Sequence, residues 1–254
     1  MSEAAQNNPI RAAQANMRPE PVKRFYRTVD VREDNGRHAL TLDGRDVRTP
    51  GRNRLAAVSR SLMLRVAEEW ARQGETLDPA DMPMTRLLNA AIDGVAKKIE
   101  ETRAEIVRYA GSDLLCYRAD APETLAERQR LAFDPVLDWA AETLGARFAL
   151  TAGVMHVAQP PETLAAVGAA LETFDDPAAL ASLSVMTSLT GSAVLALATA
   201  AGFLSPAEAW RVAHVDEDFQ NELWGVDDEA AARRAARWRE MAAAAVVLEA
   251  TREL

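Results

Sequence analysis

The stretch from Phe25 to Gly44, FYRTVDVREDNGRHALTLDG, determines how the chain begins to fold. It contains two short extended segments, separated by Asn35-Gly36 and closed by the Asp-Gly pair that ends at Gly44. Both dipeptides supply the positive φ that tight hairpin turns require. The pattern therefore predicts an antiparallel sheet of three or four strands, connected by two hairpins.

A helix is predicted directly after the sheet. Leu62, Val66 and Trp70 recur every four residues, so they share one face of a helix. Ser59 or Ser61 is the expected N-cap, because a serine oxygen can accept a hydrogen bond from a free N–H of the first turn. The apolar face of this helix should cover the sheet.

The spacing of prolines predicts the domain organisation. Pro79 and Pro83 interrupt the chain around residues 78–84, which makes this segment the expected boundary or hinge. We expect a disordered tail over residues 1–20, an N-terminal α+β domain over 21–83 and a C-terminal all-helical domain over 84–254. The tail is polar and lacks both an apolar signal segment and an Arg-rich presequence.

The apolar residues after Thr85 recur with a helical period. Further helices are predicted over 122–144, over 161–174 and across the uncharged stretch 177–207, where Gly191 marks either a break or a close crossing of helices. Ser205 begins a capping box, and its helix should end at Gly225. A last helix, capped by Asp227, should run through Leu248. One long amphipathic helix is predicted from the stripe Leu88, Ile92, Val95, Ile99, Ile106 and Tyr109.

Composition excludes several classes of protein. The formal net charge is −9 and the pI is about 5.0, which opposes binding to nucleic acid phosphates. The single cysteine, Cys116, favours a reducing compartment, and we expect a soluble cytoplasmic protein. The stretch 177–207 is long enough to cross a bilayer, but it is rich in Ser and Thr and flanked by acids. We therefore expect buried helices there instead of a membrane span.

The densest polar cluster is His214-Val215-Asp216-Glu217-Asp218. A helix would bring His214, Glu217 and Asp218 onto neighbouring turns, where they could ligate a divalent metal. The alternative is a solvated acidic helix face. The sequence has no phosphate-binding glycine loop, no HExxH helix and no Gly-x-Ser-x-Gly elbow. Cys116 is interpreted as a small buried hydrophobe, because no neighbour in sequence would lower its pKa.

A succession of motifs runs through the chain. EEWARQ at 68–73 and DPADMPMTRL at 78–87 are followed by AID at 91–93 and YAGSDLLCYR at 109–118. TGS at 190–192, DEDFQ at 216–220 and WG at 224–225 follow in order. This order resembles that of the F-type ATP synthase alpha-subunit assembly chaperones, the family of the mitochondrial ATP synthase assembly factor.

The resemblance implies a protein without catalysis or cofactor that holds the unassembled alpha subunit of F-type ATP synthase. In the family, binding of the chaperone is understood to shield the surface of the alpha subunit that beta subunits later occupy. An apolar ring interface aggregates while it is unpaired, which gives the chaperone its physical purpose. A monomer, when free, is expected. Two alternatives remain open: a metal-dependent helical-domain hydrolase using His214 to Asp218, and a helical adaptor for another complex.

The resemblance also suggests two site residues. Trp70 matches the tryptophan of the EEW motif, and its alternative role is a core anchor. Glu240 matches an acidic position of the last helix to which the family attaches function. The alternative interpretation is that Glu240 is an ordinary surface acid, paired with Arg233 or Arg237 in the same helix. Helical geometry places Glu240 opposite Trp238, on a face expected to point outward and contact the partner. The other residues of this predicted docking face are Ala236, Ala243, Ala244 and Val247.

Overall fold

A small antiparallel sheet begins the part of the chain that the computed structural model describes, residues 22–153 and 155–252. The predicted tail over residues 1–20 lies outside it. β2 is the central strand: β1 pairs along one edge, and β3 and β4 pair with the two ends of the other edge. The four strands are β1 (Val29–Asp34), β2 (Arg37–Leu42), β3 (Arg45–Asp46) and β4 (Ala56–Ala57).

Both hairpin turns form where the sequence predicts them. Asn35 and Gly36 have φ values of 53° and 73°, and Asp43 and Gly44 have values of 47° and 77°. Positive φ at both central residues suits the right-handed twist of the adjoining strands. The predicted α+β class and the predicted number of strands are therefore confirmed.

Helix α1 (Arg60–Ala71) covers this sheet, packing on β1 and β2. Of the two candidate caps, Ser59 is the N-cap: its hydroxyl accepts a hydrogen bond from the N–H of Leu62 at 3.2 Å. Leu62 and Val66 are completely buried, and Trp70 is partly buried. The predicted apolar face is thus correct.

The prediction of a single long helix after Thr85 is wrong. The chain forms α2 (Pro83–Asp93), a 3-10 turn (Val95–Lys97) and α3 (Ile99–Ala110). The carboxylate of Asp93 accepts hydrogen bonds from Thr49 Oγ1 at 2.6 Å and from Asn53 Nδ2 at 2.7 Å, which holds the end of α2 against the loop after β3. Glycine at position 94 has a low helix propensity, so the helix breaks there.

The next helices follow the predicted ranges. α4 (Glu123–Trp139) continues into a π-helical turn (Ala140–Leu144), and α5 spans Pro161–Glu172. A parallel pair of two-residue strands, β5 (Tyr117–Arg118) and β6 (Thr151–Ala152), was not predicted. Segments of two residues carry too little periodicity to be recognised in a sequence.

The uncharged stretch forms the centre of the helical bundle. α6 (Pro177–Thr190) and α7 (Ala193–Ala200) have 14 and 8 residues and are separated at Gly191, which has a φ of 71°. α6 packs against α2, α3 and α7, and also against the last helix. Within the described ranges, no helix combines the length and apolar character needed to cross a membrane.

Three helices complete the chain: α8 (Pro206–Ala213), α9 (Val215–Trp224) and α10 (Asp228–Arg252). Ser205 forms the predicted capping box with Glu208. The expectation of one helix as far as Gly225 is wrong, because the backbone leaves helical geometry at His214 with a φ of −116°. The His214 ring bonds the carbonyl of Trp210 at 2.7 Å, and such a local side-chain bond competes with helix continuation.

Helix α10 begins as predicted and ends later. Asp227 Oδ1 accepts a hydrogen bond from the N–H of Ala230 at 2.7 Å, which confirms the cap. The helix runs four residues beyond Leu248, to Arg252. Its second half packs against α6 and α2.

Candidate functional site

The predicted docking face on α10 lies mostly inside the molecule. Ala243, Ala244 and Val247 are buried, so the expectation that they point outward is wrong. Met241 is also fully buried on the opposite side of the helix, because α10 enters the bundle here and is covered on both sides. Of the predicted alanines, Ala236 alone is exposed.

Glu240 lies where α10 passes from solvent into the bundle. The turns before it are mostly exposed, and the turns after it are mostly buried. Its carboxylate forms an ion pair with the guanidinium of Arg86 on α2. Neither predicted partner contacts it: Arg233 pairs with Glu229, and Arg237 donates to the carbonyl of Leu189 at 2.6 Å.

A second ion pair lies beside the first and has the opposite polarity. Arg239 Nη1 is 2.9 Å from Asp81 Oδ1, so the last helix supplies the cation here and the anion at Glu240. Asp81 belongs to the 3-10 turn (Pro79–Asp81) that precedes α2. The two pairs connect the middle of α10 to Asp81, in the segment that the sequence predicts as a hinge, and to Arg86, near the start of α2.

The start of α2, at the end of the predicted hinge segment, is also held by a buried carboxylate, that of Glu69. It accepts hydrogen bonds from the N–H of Met84, the N–H of Thr85 and the Thr85 hydroxyl, each at 2.8 Å. Burial raises the pKa of Glu69, while these hydrogen bonds act in the opposite direction. Glu69, which lies on α1, thus accepts hydrogen bonds from the free N–H groups at the start of α2. The sequence analysis missed this role, although the EEW motif marks the position.

Trp70 is anchored in the same network. Its indole Nε1 donates to Thr85 Oγ1 at 3.1 Å, and its ring lies 5.6 Å from that of Tyr26, whose hydroxyl donates to the Trp70 carbonyl at 2.7 Å. These contacts fit the core-anchor alternative. Trp70 also lines a surface cleft of about 520 Å³, next to the exposed ring of Phe25.

The candidate metal ligands are engaged in separate contacts. His214 is buried against the ring of Trp210 at 4.0 Å, and burial lowers its pKa, so it is neutral at pH 7. Asp218 pairs with Arg234, and Glu217 Oε2 is 3.8 Å from His214 Nε2. Across the residues that the structure describes, no three His, Cys, Asp or Glu side chains are grouped to hold a metal ion.

Cys116 is fully buried, as predicted. Burial raises the pKa of its thiol to about 12, and the nearby Asp113 carboxylate adds to this effect. The thiol is therefore protonated at neutral pH and is a poor nucleophile.

Asp113 is a buried acid that the sequence analysis did not single out. Its carboxylate accepts the N–H of Leu115 and the N–H of Val194, both at 3.1 Å. It thereby connects the 3-10 turn after α3 to the first turn of α7. Burial raises the pKa of Asp113 to about 6, although these hydrogen bonds favour the ionised form.

Three exposed large apolar side chains lie at the end of α9 and in the turn before α10. Trp224 is 86% exposed, and Leu223 and Val226 are 59% and 66% exposed. Next to them is a cavity of about 620 Å³, lined in part by Val226, Trp210 and Trp238. Apolar side chains grouped in this way on a surface are typical of protein interaction sites.

Comparison with known proteins relates this chain to a family of chaperones. Residues 23–141 match the family model described as ATP12 chaperone protein. Protein atp12, mitochondrial, of Schizosaccharomyces pombe is 25% identical over 224 residues, which cover 82% of this chain and 75% of that protein.

Solved bacterial structures are more similar to it. A protein of Agrobacterium tumefaciens, described as a proposed chaperone, is 49% identical, with a TM-score of 0.88 over 96% of this chain and 91% of that one. Atp12 from Paracoccus denitrificans is 39% identical, with a TM-score of 0.84 over 91% of this chain and 98% of that one. With this identity and a fold shared over nearly the whole length, the chain belongs to the ATP12 family of chaperones for ATP synthase assembly.

Proposed function

We propose that this protein binds the unassembled alpha subunit of F-type ATP synthase and shields the surface that beta subunits later cover. The proposal rests on one observation: the first half of α10 is exposed. It applies to this chain because the chain belongs to the ATP12 family. A helix of 25 residues that packs mainly through its second half leaves about three turns accessible to a partner. A free subunit interface is apolar and prone to aggregate, so its chaperone needs an accessible surface of this kind.

The chemistry of these turns suits a close contact. Their exposed alanines let a partner backbone approach the helix, and Ala236 is the one nearest to Glu240. At that end, the Glu240–Arg86 pair offers a carboxylate that is still accessible on one side. We propose that Ala236 and Glu240 contact the client. Trp70 acts chiefly as an anchor, with its accessible edge as a second candidate contact. The exposed alanines are Ala231, Ala232, Ala235 and Ala236.

We also propose that the protein acts in the cytoplasm without a cofactor or a reaction of its own, and that it is a monomer when free. The engagement of His214 and Asp218 in other contacts favours this view over a metal-dependent hydrolase. We propose 21–83 and 84–254 as its two domains, joined through the contacts of Glu69 with Met84 and Thr85.

The test is capture of isolated subunits. We expect the immobilised full chain to retain purified alpha subunit and to keep it in solution under conditions in which alpha alone precipitates. Purified beta subunit is the matched control and should not be retained. Equal retention of both subunits, or of neither, contradicts the proposal. Bound metal together with hydrolytic activity would favour the enzyme alternative.

A further inference from the structure

The end of α9 and the turn that follows it present an apolar tip, defined as Leu223, Trp224 and Val226. Trp224 has more of its surface exposed than any other large apolar side chain in the described part of the chain. Aromatic side chains in this setting contribute most of the affinity in many protein interfaces, because they bury a large rigid surface.

The tip is held in place by its surroundings. Gly225 N–H donates to the carbonyl of Asn221 at 3.0 Å, and Asp227 caps α10 immediately after the tip. Arg128 on α4 pairs with Glu222 at 2.7 Å, which fixes the last turn of α9. A surface that is already ordered loses little conformational entropy when a partner binds.

Beside the tip, the cavity between α8, α9 and α10 continues the apolar surface. Val226 belongs to both, and the rings of Trp210 and Trp238 lie 5.7 Å apart in its wall. A volume of about 620 Å³ has room for more than one apolar side chain of a partner. The tip and this cavity adjoin at Val226, and together they are called the groove.

The groove has an acidic rim. Glu217, Asp218 and Asp227 line the cavity, together with Arg234, whose charge is paired with that of Asp218. The 14 residues from Asp216 to Glu229 include seven acids and no lysine or arginine. Asp218, Glu222 and Glu229 form ion pairs with arginines from other positions. Among the residues described by the structure, no lysine or arginine pairs with the remaining four, which are Asp216, Glu217, Asp227 and Asp228.

We infer that this groove binds a basic amphipathic segment of the client, whose apolar side chains enter the cavity while flanking lysines or arginines meet the acidic rim. This inference rests on the proposed function and identifies a second contact, distinct from Glu240. Charge complementarity decides the occupant, because opposite charges favour encounter and like charges oppose it. A second copy of this chain would bring two acidic rims together.

The test compares Trp224→Ala/Val226→Ala with Leu131→Ala, which removes an exposed leucine from α4, outside the groove. The probe is a labelled synthetic peptide with a leucine-rich core and lysine flanks, and its control carries glutamate flanks. Fluorescence anisotropy with the full chain should show binding of the lysine peptide that weakens with added salt. The double variant should bind it about tenfold more weakly, while Leu131→Ala should bind normally.

The same variants are then tested for capture of the alpha subunit. Reduced capture by the double variant, competition by the lysine peptide and unchanged capture by Leu131→Ala support the inference. Normal capture by the double variant overturns it and leaves the proposed function intact, whereas no capture by the wild type overturns both. Equal binding of both peptides, or a wild-type dimer that Trp224→Ala/Val226→Ala dissociates, also overturns it.

Discussion

Replacing Glu240 with lysine tests whether this residue serves partner recognition or stability of the fold, because the two roles predict different effects. The change removes the ion pair with Arg86 and places two cations side by side. Because the Glu240 and Arg86 side chains are 33% and 44% exposed, solvent screens their interaction. Such pairs contribute about 0.2 to 1 kcal/mol, and repulsion between like charges has a similar size.

Glu240→Lys should therefore lower the free energy of unfolding by about 1 kcal/mol, which corresponds to a fall of about 2 to 4 °C in melting temperature for a chain of this length. The effect on the client should be larger. A lysine facing a cationic or amide group in a desolvated interface costs at least about 2 kcal/mol, or about 30-fold in affinity.

The decisive variant is the charge swap Arg86→Glu/Glu240→Lys, which restores an ion pair with reversed polarity. Melting temperature and capture of alpha subunit are measured on the same preparations. We expect the swap to recover the melting temperature but not the capture. Arg239→Glu and its swap with Asp81 provide the matched control at the neighbouring pair. Recovery of capture by the Arg86 swap would refute direct recognition of Glu240, since only the pair would then matter.

Three further predictions concern buried groups. Glu69→Gln should lower the free energy of unfolding, measured by chemical denaturation, by about 1 to 3 kcal/mol, because it disturbs three hydrogen bonds to α2. The control Glu68→Gln, on the exposed side of the same helix, should change the free energy of unfolding by less than about 0.5 kcal/mol. Asp113 has a raised pKa of about 6 in the folded protein, so the folded state holds its proton more tightly than the unfolded state does. Its contribution to the free energy of unfolding should therefore decrease, by up to about 3 kcal/mol, as the pH rises from about 4 to 6. Asp113→Asn should remove this dependence of stability on pH. Cys116 should resist thiol reagents in native buffer and react after unfolding; rapid native labelling would contradict its burial.

The parts of the fold that depend on neighbouring residues could be predicted from the sequence. The turns at Asn35-Gly36 and Asp43-Gly44, the cap at Ser59 and the capping box at Ser205 each follow from residues within a few positions. Local chemistry fixes such features, because the required φ values and free N–H groups are satisfied within the same segment.

The errors arise where distant residues intervene. The break after α2 depends on Asp93 binding a loop 40 to 44 residues away, and Glu240 finds Arg86 at a separation of 154 residues. Periodicity shows which side chains share a face of a helix, but not how many faces are covered. For that reason the sequence predicts an outward position for Ala244 and Val247, although α10 is buried on two sides in its second half.

The central claim is tested most directly by displacement of the chaperone during assembly. A purified complex of this protein with isolated alpha subunit is mixed with beta subunit, and the species are separated by size with light-scattering detection. We predict that beta enters complexes with alpha while this protein is released as a free monomer. A stable complex that keeps all three proteins, or alpha that pairs with beta at the same rate and yield without this protein, would contradict the account.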